Sequence, residues 1–366
     1  MTGRERILRL FNHEEIDRVP IWLLSPFHKL SCYADIYELP SYSRLIPYIN
    51  KYCSIFNRRG TNTGFCFNQN KDIEYINKEE QDGEKFITSN IVRYKDTRFE
   101  KTIINYKGSS ELKYFIEDAD ELEKILDIPY EPVIPDFSNY EKERAELGDK
   151  GVYMIDIGDP LTPLYHIMSA ENFSMSTILG YDKILLFLDE MYKRCYALYK
   201  KYLEAGIGDI FFIVGAEFAG PPMVAPDKFH DLSAKYVKGI VDLIRSYGKK
   251  SIIHYHGNLF RILESMKYIN PDGLHTIEAP PIGDCTIAQA REVLGDVVLI
   301  GNIQYDDLTR NSKEGIEQLV KTALNEGKSG RFILSPTAGP YEDVISDKMV
   351  DNYITFIETG LKYGKY

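Results

Sequence analysis

The second half of the chain alternates short apolar runs with longer segments whose apolar residues recur at helical spacing. The intervening segments, such as residues 184–206 and 228–248, each place their apolar residues on one side of a helix. Continuous apolar strands separated by amphipathic helices are typical of a parallel sheet buried on both faces. Six runs have the length and composition of buried strands: residues 152–158, 209–215, 251–257, 273–278, 297–303 and 331–336.

Two further strand candidates precede this rhythm, at Val19–Leu24 (VPIWLL) and Thr63–Phe67 (TGFCF). Together with the six later runs they predict eight strands, and an α/β fold of the (β/α)8 TIM barrel type is their natural closure. A doubly wound sheet is disfavoured because the chain has neither GxGxxG nor GxxxxGK[ST]. We therefore predict one barrel domain over residues 1–366.

Residues 82–116 differ from this pattern. Polar residues alternate there with β-branched and aromatic ones, and Gly and Asp interrupt the run at turn positions. Such patterning predicts antiparallel hairpins. We expect a β-rich N-terminal insertion at about 82–116, forming a small sheet or lid on the barrel.

Composition narrows the class of protein. Apolar residues make up 44% of the chain and charged residues 27%, as in globular proteins. A formal net charge of −11 disfavours nucleic acid or an anionic membrane as a partner. No run reaches 18 apolar residues, and the start has no apolar core of a signal peptide. The five cysteines show no CxxC spacing, so we expect free thiols and a cytoplasmic protein.

Polar residues gather where the predicted strands end, which is where a TIM barrel builds its active site. We expect Glu217, Asp159 and Asn302 to take part in catalysis, and His28, Tyr255 and Gln304 to bind substrate. Structural interpretations stay open for some of them. Asp159 precedes Pro160 and suits a helix cap or turn, and Asn302 suits a hydrogen bond to neighbouring backbone.

His254 and His256 form the sharpest feature, since residues two apart in a strand point to the same side. Glu278 ends the next predicted strand. Two histidines, a carboxylate and an open fourth position make up a catalytic zinc site, although other first-row metals accept the same ligands. A metal-free acid–base pair, with one imidazole tuned by Glu278, is the alternative. His275 is out of register with Glu278 and is expected to face the helices.

Several motifs in series resemble the uroporphyrinogen decarboxylase superfamily. The opening RERILRLFNHEEIDRVPIW resembles the start of its members. The later motifs stand in the order and spacing of that superfamily: GDPLTPLY, GAEFAGPPMVAPDKF, HYHGN, HTIEAPPIGDC, GNIQ and FILSPTAG. The resemblance covers nearly the whole chain and implies a TIM barrel.

One branch of that superfamily, the true decarboxylases, uses no cofactor and binds a carboxylated tetrapyrrole through arginines after the first strand. Residues 23–30 read LLSPFHKL here, without arginine. A net charge of −11 also suits a polyanionic substrate poorly. Arg58 and Arg59 fit better as solvated surface, and could compensate only if their loop faced the cleft. Cofactor-free decarboxylation is thus the alternative function.

The other branch contains zinc methyltransferases that serve corrinoid proteins and thiols. The resemblance places its His-x-Cys pair on His254 and His256, and a related glutamate ligand on Glu278. Its last cysteine falls at or beside Ala338, which cannot bind a metal. Replacing thiolates by imidazoles makes the ion a stronger Lewis acid and a poorer activator of thiols.

The resemblance therefore implies metal-dependent methyl transfer from a small methylated or methoxylated donor to a corrinoid or thiol acceptor. Zinc is the implied metal, and the corrinoid would sit on a partner protein. A homodimer formed through barrel faces is compatible with the superfamily. A non-catalytic protein that binds a corrinoid or another ligand is the second alternative, because Ala338 replaces a ligand.

Overall fold

The computed structural model describes residues 1–61, 64–68, 70–133 and 135–366. Eleven strands are found in these ranges, in a parallel and an antiparallel sheet. They are β1 Ile55–Gly60, β2 Ile73–Asp82, β3 Lys85–Tyr94, β4 Thr97–Tyr106, β5 Ser109–Lys113, β6 Gly151–Gly158, β7 Ile210–Val214, β8 Lys250–Tyr255, β9 Gly273–Thr276, β10 Val298–Ile303 and β11 Phe332–Pro336.

Seven of these strands form a curled parallel sheet in the order β1-β6-β7-β8-β9-β10-β11. Every neighbouring pair is parallel, so the carboxyl ends of all seven strands lie at one edge. The predicted α/β class is confirmed, and the six predicted runs of the second half are all strands. Residues from β1, β8 and β11 meet in one apolar cluster on the concave side of the sheet.

The predicted closed barrel of eight strands is found only in part. Val19–Leu24 forms no regular strand; it joins the sheet through one parallel bridge, between Ile21 and Leu334 of β11. Nearby, the Trp22 N–H donates to the Leu334 carbonyl at 2.9 Å, and the Ser54 N–H to the Ile21 carbonyl at 2.8 Å. Pro20 has no N–H to continue a ladder, and Leu24 leaves the extended region with φ 57°.

The second predicted strand was misplaced. Thr63 lies outside the described residues, and the described part of Thr63–Phe67 is not a strand. The strand in this part of the chain is β1. Its sequence, IFNRRG, contains too many polar residues to be recognised as a buried strand. Asn57 is fully buried and Arg58 is only 7% exposed, so a polar strand is buried here against expectation.

Helices follow most strands of the parallel sheet and cover its convex side, where the larger apolar cluster lies. The α-helices of the described residues are α1 Gly3–Phe11, α2 Ile46–Tyr52, α3 Leu122–Leu126, α4 Tyr140–Leu147, α5 Thr162–Ile167, α6 Ala170–Leu179, α7 Tyr181–Glu204, α8 Lys235–Ser246, α9 Leu263–Ile269, α10 Ile287–Leu294, α11 Tyr305–Arg310, α12 Lys313–Gly327 and α13 Asp347–Tyr363. None of them is long and apolar enough to cross a bilayer.

The antiparallel sheet has the order β2-β3-β4-β5 and runs from Ile73 to Lys113, so it begins before the predicted boundary at 82. Its base packs on the main body through buried Ile73, Val92 and Phe99. Its far end is exposed, with Phe86 57% accessible to solvent. The predicted antiparallel hairpins are therefore present as a four-stranded sheet.

Candidate functional site

Two imidazoles stand together at the carboxyl edge of the parallel sheet. His254 is the penultimate residue of β8, and His256 follows the strand's end at Tyr255. Their ring centroids lie 4.5 Å apart with the rings nearly perpendicular, at 85°. The two side chains thus share one side of β8, as their spacing predicts.

Glu278 is the partner of His256. Its Oε1 lies 3.2 Å from His256 Nδ1, and its Oε2 accepts the Gly257 N–H at 2.7 Å. Burial disfavours the charged imidazole, but the hydrogen bond and negative charge of Glu278 outweigh it and raise the pKa of His256. Burial likewise opposes ionisation of Glu278, but the hydrogen bond from His256 and its charge lower the pKa of Glu278. An ion pair is the favoured state.

His275 does not face the helices, so that prediction was wrong. It is fully buried and its ring lies beside that of His254, with centroids 4.9 Å apart and planes 17° from parallel. Strand register explains this, because His254 and His275 are direct partners of β8 and β9. Glu278 reaches the same cluster because Ile277 takes a left-handed conformation, with φ 60°, and breaks the alternation of the strand.

Glu217 belongs to a short helical turn after β7, over Ala216–Ala219. Its Oε2 accepts the Gly215 N–H at 3.2 Å. Burial raises the pKa of Glu217, while the positive charge of His256 acts in the opposite direction. The His256 imidazole therefore interacts electrostatically with two carboxylates, Glu217 and Glu278.

Asp159 is fully buried and its carboxylate is occupied by the protein itself. Oδ1 accepts from the backbone N–H groups of Leu161 and Thr162, both at 3.0 Å, and from the Thr162 hydroxyl at 3.2 Å. Oδ2 accepts from the Ser233 hydroxyl at 3.2 Å. Burial, followed by the charge of Glu217, raises the pKa of Asp159 to about 7. This geometry matches the capping interpretation of Asp159.

Sequence reasoning missed a buried ion pair on the concave side. Arg58 of β1 contacts Asp156 of β6 through two nitrogens, Nη2 at 2.8 Å and Nε at 3.0 Å. Its Nη1 donates to the Tyr33 hydroxyl at 2.6 Å, and its guanidinium lies 4.7 Å from the centre of the Phe212 ring. Arg58 is therefore not solvated surface. The available signal was the apolar pair Ile55 and Phe56 two residues before Arg58.

Of the other predicted residues, Tyr255 lies between the two histidines in sequence, and Gln304 is near enough to Glu278 to help lower the pKa of that carboxyl. His28 Nε2 is 2.8 Å from Glu146 Oε2 of α4. Tyr255 is 1% exposed and donates to the Asn258 carbonyl at 3.2 Å, in a packing contact with the loop at Gly220. Asn302 and Gln304 line a cavity of about 420 Å³ beside the 279–282 loop.

Of the three predicted metal ligands, the two histidines have a ring nitrogen that suits a metal, and Glu278 does not have a comparable oxygen. The Nδ1 atoms of His254 and His256 are both engaged, with His275 at 2.8 Å and with Glu278 at 3.2 Å. Their Nε2 atoms are the remaining ring donors. Both oxygens of Glu278 already accept hydrogen bonds. Within the described ranges, no three His, Cys, Asp or Glu side chains are arranged to hold an ion.

Cys285, in the loop after β9, is fully buried and donates to the Thr286 carbonyl at 3.4 Å. Burial raises the pKa of its thiol to about 12, so the thiol form is favoured. Neither Cys285 nor Ala338 supplies the sulfur ligand that the resemblance would require. The protein side of the site is therefore nitrogen and oxygen.

The family model described as "Uroporphyrinogen decarboxylase (URO-D)" matches residues 112–359. A methyltransferase from Methanosarcina mazei has a similar fold, with a TM-score of 0.61, 15% identity and 99% of each chain covered. A B12-independent methionine synthase from Shewanella sp. W3-18-1, in complex with selenomethionine, is similar over 94% of this chain and 97% of its own. Its TM-score is 0.48 and its identity 10%. A search of curated protein sequences finds no match.

Proposed function

This chain belongs to the uroporphyrinogen decarboxylase (URO-D) family, and from that premise we propose that it is an enzyme of methyl transfer. The donor would be a small methylated or methoxylated compound, and the acceptor a corrinoid on a partner protein or a thiol. The observation that carries this proposal is the imidazole pair of His254 and His256 at the carboxyl edge of the sheet. The name of the methyltransferase that shares the fold agrees with it.

His254 and His256 would hold a divalent metal through their Nε2 atoms, with zinc as the first candidate. Such an ion, when bound, supplies Lewis acidity at the methyl donor or acceptor. Glu278 would orient His256 from behind, in the way that carboxylates commonly support histidine ligands. Glu217 would hold or release a proton close to His256. Asp159 and Tyr255 would maintain the loops around the site.

Cofactor-free decarboxylation is the second candidate, and one observation favours it. Arg58 places a cation on the concave side of the sheet, where a substrate carboxylate could be bound. Asp156 neutralises that cation at 2.8 Å, which makes Arg58 a weak anion site in this arrangement. A binding protein without turnover is the third candidate, and Ala338 in place of a ligand supports it.

Elemental analysis of tag-free protein tests the proposal first. We expect close to one divalent metal per chain after reconstitution, and loss of that metal in His254→Ala and His256→Ala. His230→Ala is the matched control, because His230 is exposed and packs on Tyr268. Circular dichroism of each variant shows whether the fold is retained.

Turnover distinguishes the three candidates. Methylated donors are incubated with reduced cobalamin, and methyl–cobalt formation is followed by absorbance; a thiol acceptor is followed by mass spectrometry. Metal-dependent methyl transfer supports the proposal. Decarboxylation of a carboxylated tetrapyrrole by metal-free protein would replace it with the second candidate. Ligand binding without either reaction would support the third candidate, a binding protein without turnover.

A further inference from the structure

A chain of three polar groups crosses the sheet beneath the site. The carbonyl oxygen of Pro336, at the end of β11, lies 3.1 Å from His275 Nε2. His275 Nδ1 lies in turn 2.8 Å from His254 Nδ1. The chain therefore runs from backbone through one buried imidazole to a second.

The chemistry of the first group sets the direction of every hydrogen bond. A carbonyl oxygen only accepts, so His275 Nε2 carries a proton. His275 is fully buried, and its two ring nitrogens contact a carbonyl oxygen and another imidazole, so no anion would compensate a charged ring; the neutral ring, with a lone pair on Nδ1, is favoured. That lone pair can only accept, so the proton of the 2.8 Å contact belongs to His254 Nδ1.

The same reasoning fixes the second nitrogen of His254. The ring of His254 is surrounded by Phe212 and by the imidazoles of His256 and His275, and its Nδ1 donates to His275, so a second proton would add a charge beside two other imidazoles. A neutral imidazole with its proton on Nδ1 has an unprotonated Nε2. In the described part of the chain, no hydrogen bond to His254 Nε2 is found.

Packing prevents the rings from rearranging. His254 lies nearly coplanar with His275, and its other neighbours are Phe212, with ring centroids 5.1 Å apart, and His256. His275 is held by Trp22, at 5.5 Å between centroids. A ring flip of either histidine would break the hydrogen bond between their Nδ1 atoms.

We propose that His275 is a positioning residue that holds His254 in the tautomer protonated on Nδ1 and thereby presents His254 Nε2 as a lone-pair donor. The use of that nitrogen as a metal ligand rests on the proposed function. The tautomer itself rests only on the hydrogen bonds with Pro336 and His275. In histidine sites generally, the bond made by one ring nitrogen decides the state of the other.

Nuclear magnetic resonance tests the tautomer directly in metal-free protein with isotope-labelled histidine. Long-range nitrogen–proton correlations show which ring nitrogen is protonated, and His254→Asn identifies the signals of His254. We expect Nδ1–H and bare Nε2 for His254, and the reverse for His275. Protonation of His254 at Nε2 in the parent protein would overturn the proposal.

Two substitutions at 275 test whether His275 is the cause. The oxygen of His275→Asn can take the place of Nδ1 as acceptor, whereas His275→Phe offers no acceptor. We expect His254 to keep its tautomer in His275→Asn and to lose it, wholly or in part, in His275→Phe. An unchanged tautomer in His275→Phe would overturn the positioning role. His230→Asn is the control for substitution of a histidine elsewhere.

Zinc titration then separates this inference from the proposed function. If both hold, His275→Phe binds zinc about 10- to 100-fold more weakly than the parent, as for other partners of ligand histidines, and His275→Asn recovers most of the affinity. The predicted tautomer without any zinc binding would reject the metal but keep the positioning role. Zinc binding with the opposite tautomer, or with equal affinity in His275→Phe, would reject the positioning role alone.

Discussion

Glu278 and His256 lie beside each other at the carboxyl ends of β9 and β8, with Oε1 3.2 Å from Nδ1. The second oxygen of Glu278 accepts the Gly257 N–H at 2.7 Å, which fixes the carboxylate from the other side. Glu278 is only 5% exposed, so little water competes for these bonds. The pair resembles an oriented imidazole with its carboxylate partner more than two ligands of one ion.

Glu278→Gln is expected to lower the pKa of His256 in the metal-free protein. Glutamine keeps the shape and one acceptor oxygen but removes the negative charge that stabilises the imidazolium. The raised pKa of His256 means that this pair stabilises the fold below about pH 6.5 and that the contribution is lost as pH rises through the raised value.

A pH titration of the His256 ring by nuclear magnetic resonance measures this effect. Glu146→Gln, which removes the partner of His28, is the control and should leave the pKa of His256 unchanged. If His256 titrates identically in Glu278→Gln and in the parent, the contact at 3.2 Å has no electrostatic role.

Arg58 and Asp156 are expected to be strongly coupled in stability. Arg58→Met leaves the Asp156 carboxylate, 16% exposed, without its cation, and Asp156→Leu leaves Arg58 unpaired. Each single change should cost about 3 kcal/mol or more, and the double variant should recover much of the loss, as found for buried pairs. Urea unfolding of the four proteins gives the coupling energy. Losses that simply add would show that the two charges are solvated independently.

Asp159→Asn is expected to retain activity, because the carboxylate is buried and holds Thr162 and Ser233. A loss of less than about tenfold in kcat/KM is expected, against about 10²-fold or more for a general acid or base. The methyl-transfer assay distinguishes the two losses. A loss of about 10²-fold or more would show that Asp159 takes part in catalysis. Asp159→Leu should lower stability by leaving those donors unpaired.

The raised pKa of Asp159 predicts that the free energy of unfolding decreases as pH rises. Its pKa is raised to about 7 by burial and Glu217, so the fold favours the protonated acid. The parent should lose this contribution as pH rises from about 4 to about 7, since the unfolded pKa is about 3.9. Asp159→Asn lacks the titration, so its free energy of unfolding relative to the parent should increase across that window. A constant difference in urea denaturation would contradict this.

Asp209 is expected to fasten the first helix to the sheet. It accepts from two nitrogens of Arg4, at 2.6 and 2.7 Å, and from Arg144 and the Tyr153 N–H. Burial opposes its ionisation, but the Arg4 hydrogen bonds outweigh it and lower the pKa of Asp209. The contribution is present above about pH 4 and is lost as pH falls through the lowered pKa.

Asp209→Asn should therefore destabilise the protein by about 3 kcal/mol at pH 7, in the range for a buried pair that loses one charge. The difference from the parent should begin to shrink below about pH 4, where the unfolded chain is protonated, and should disappear once pH falls below the lowered pKa of the folded parent. Urea unfolding at both pH values measures it. Asp306→Asn, which removes an exposed partner of Arg310, is the control and should change little.

Much of the fold could be predicted because its signals are local. Apolar runs long enough for strands, separated by amphipathic segments, gave the α/β class and the six later strands. The hairpin region could be predicted from the alternation of polar residues with β-branched and aromatic ones. β1 could not be found this way, since Asn57 and Arg58 are polar and their burial depends on partners distant in sequence. The bridge at Ile21 depends on β11 in the same way.

In the candidate site, too, local features could be predicted and contacts between distant residues could not. The sequence by itself determined that His254 and His256 share a side of one strand, because strand periodicity is a property of the local backbone, and that Glu278 follows the next strand. The tertiary structure decided that His275 lies against His254 and that Asp156 neutralises Arg58. It also decided that Glu278 is oriented toward His256 Nδ1. These contacts depend on register between strands and on the left-handed turn at Ile277, which local pattern does not specify.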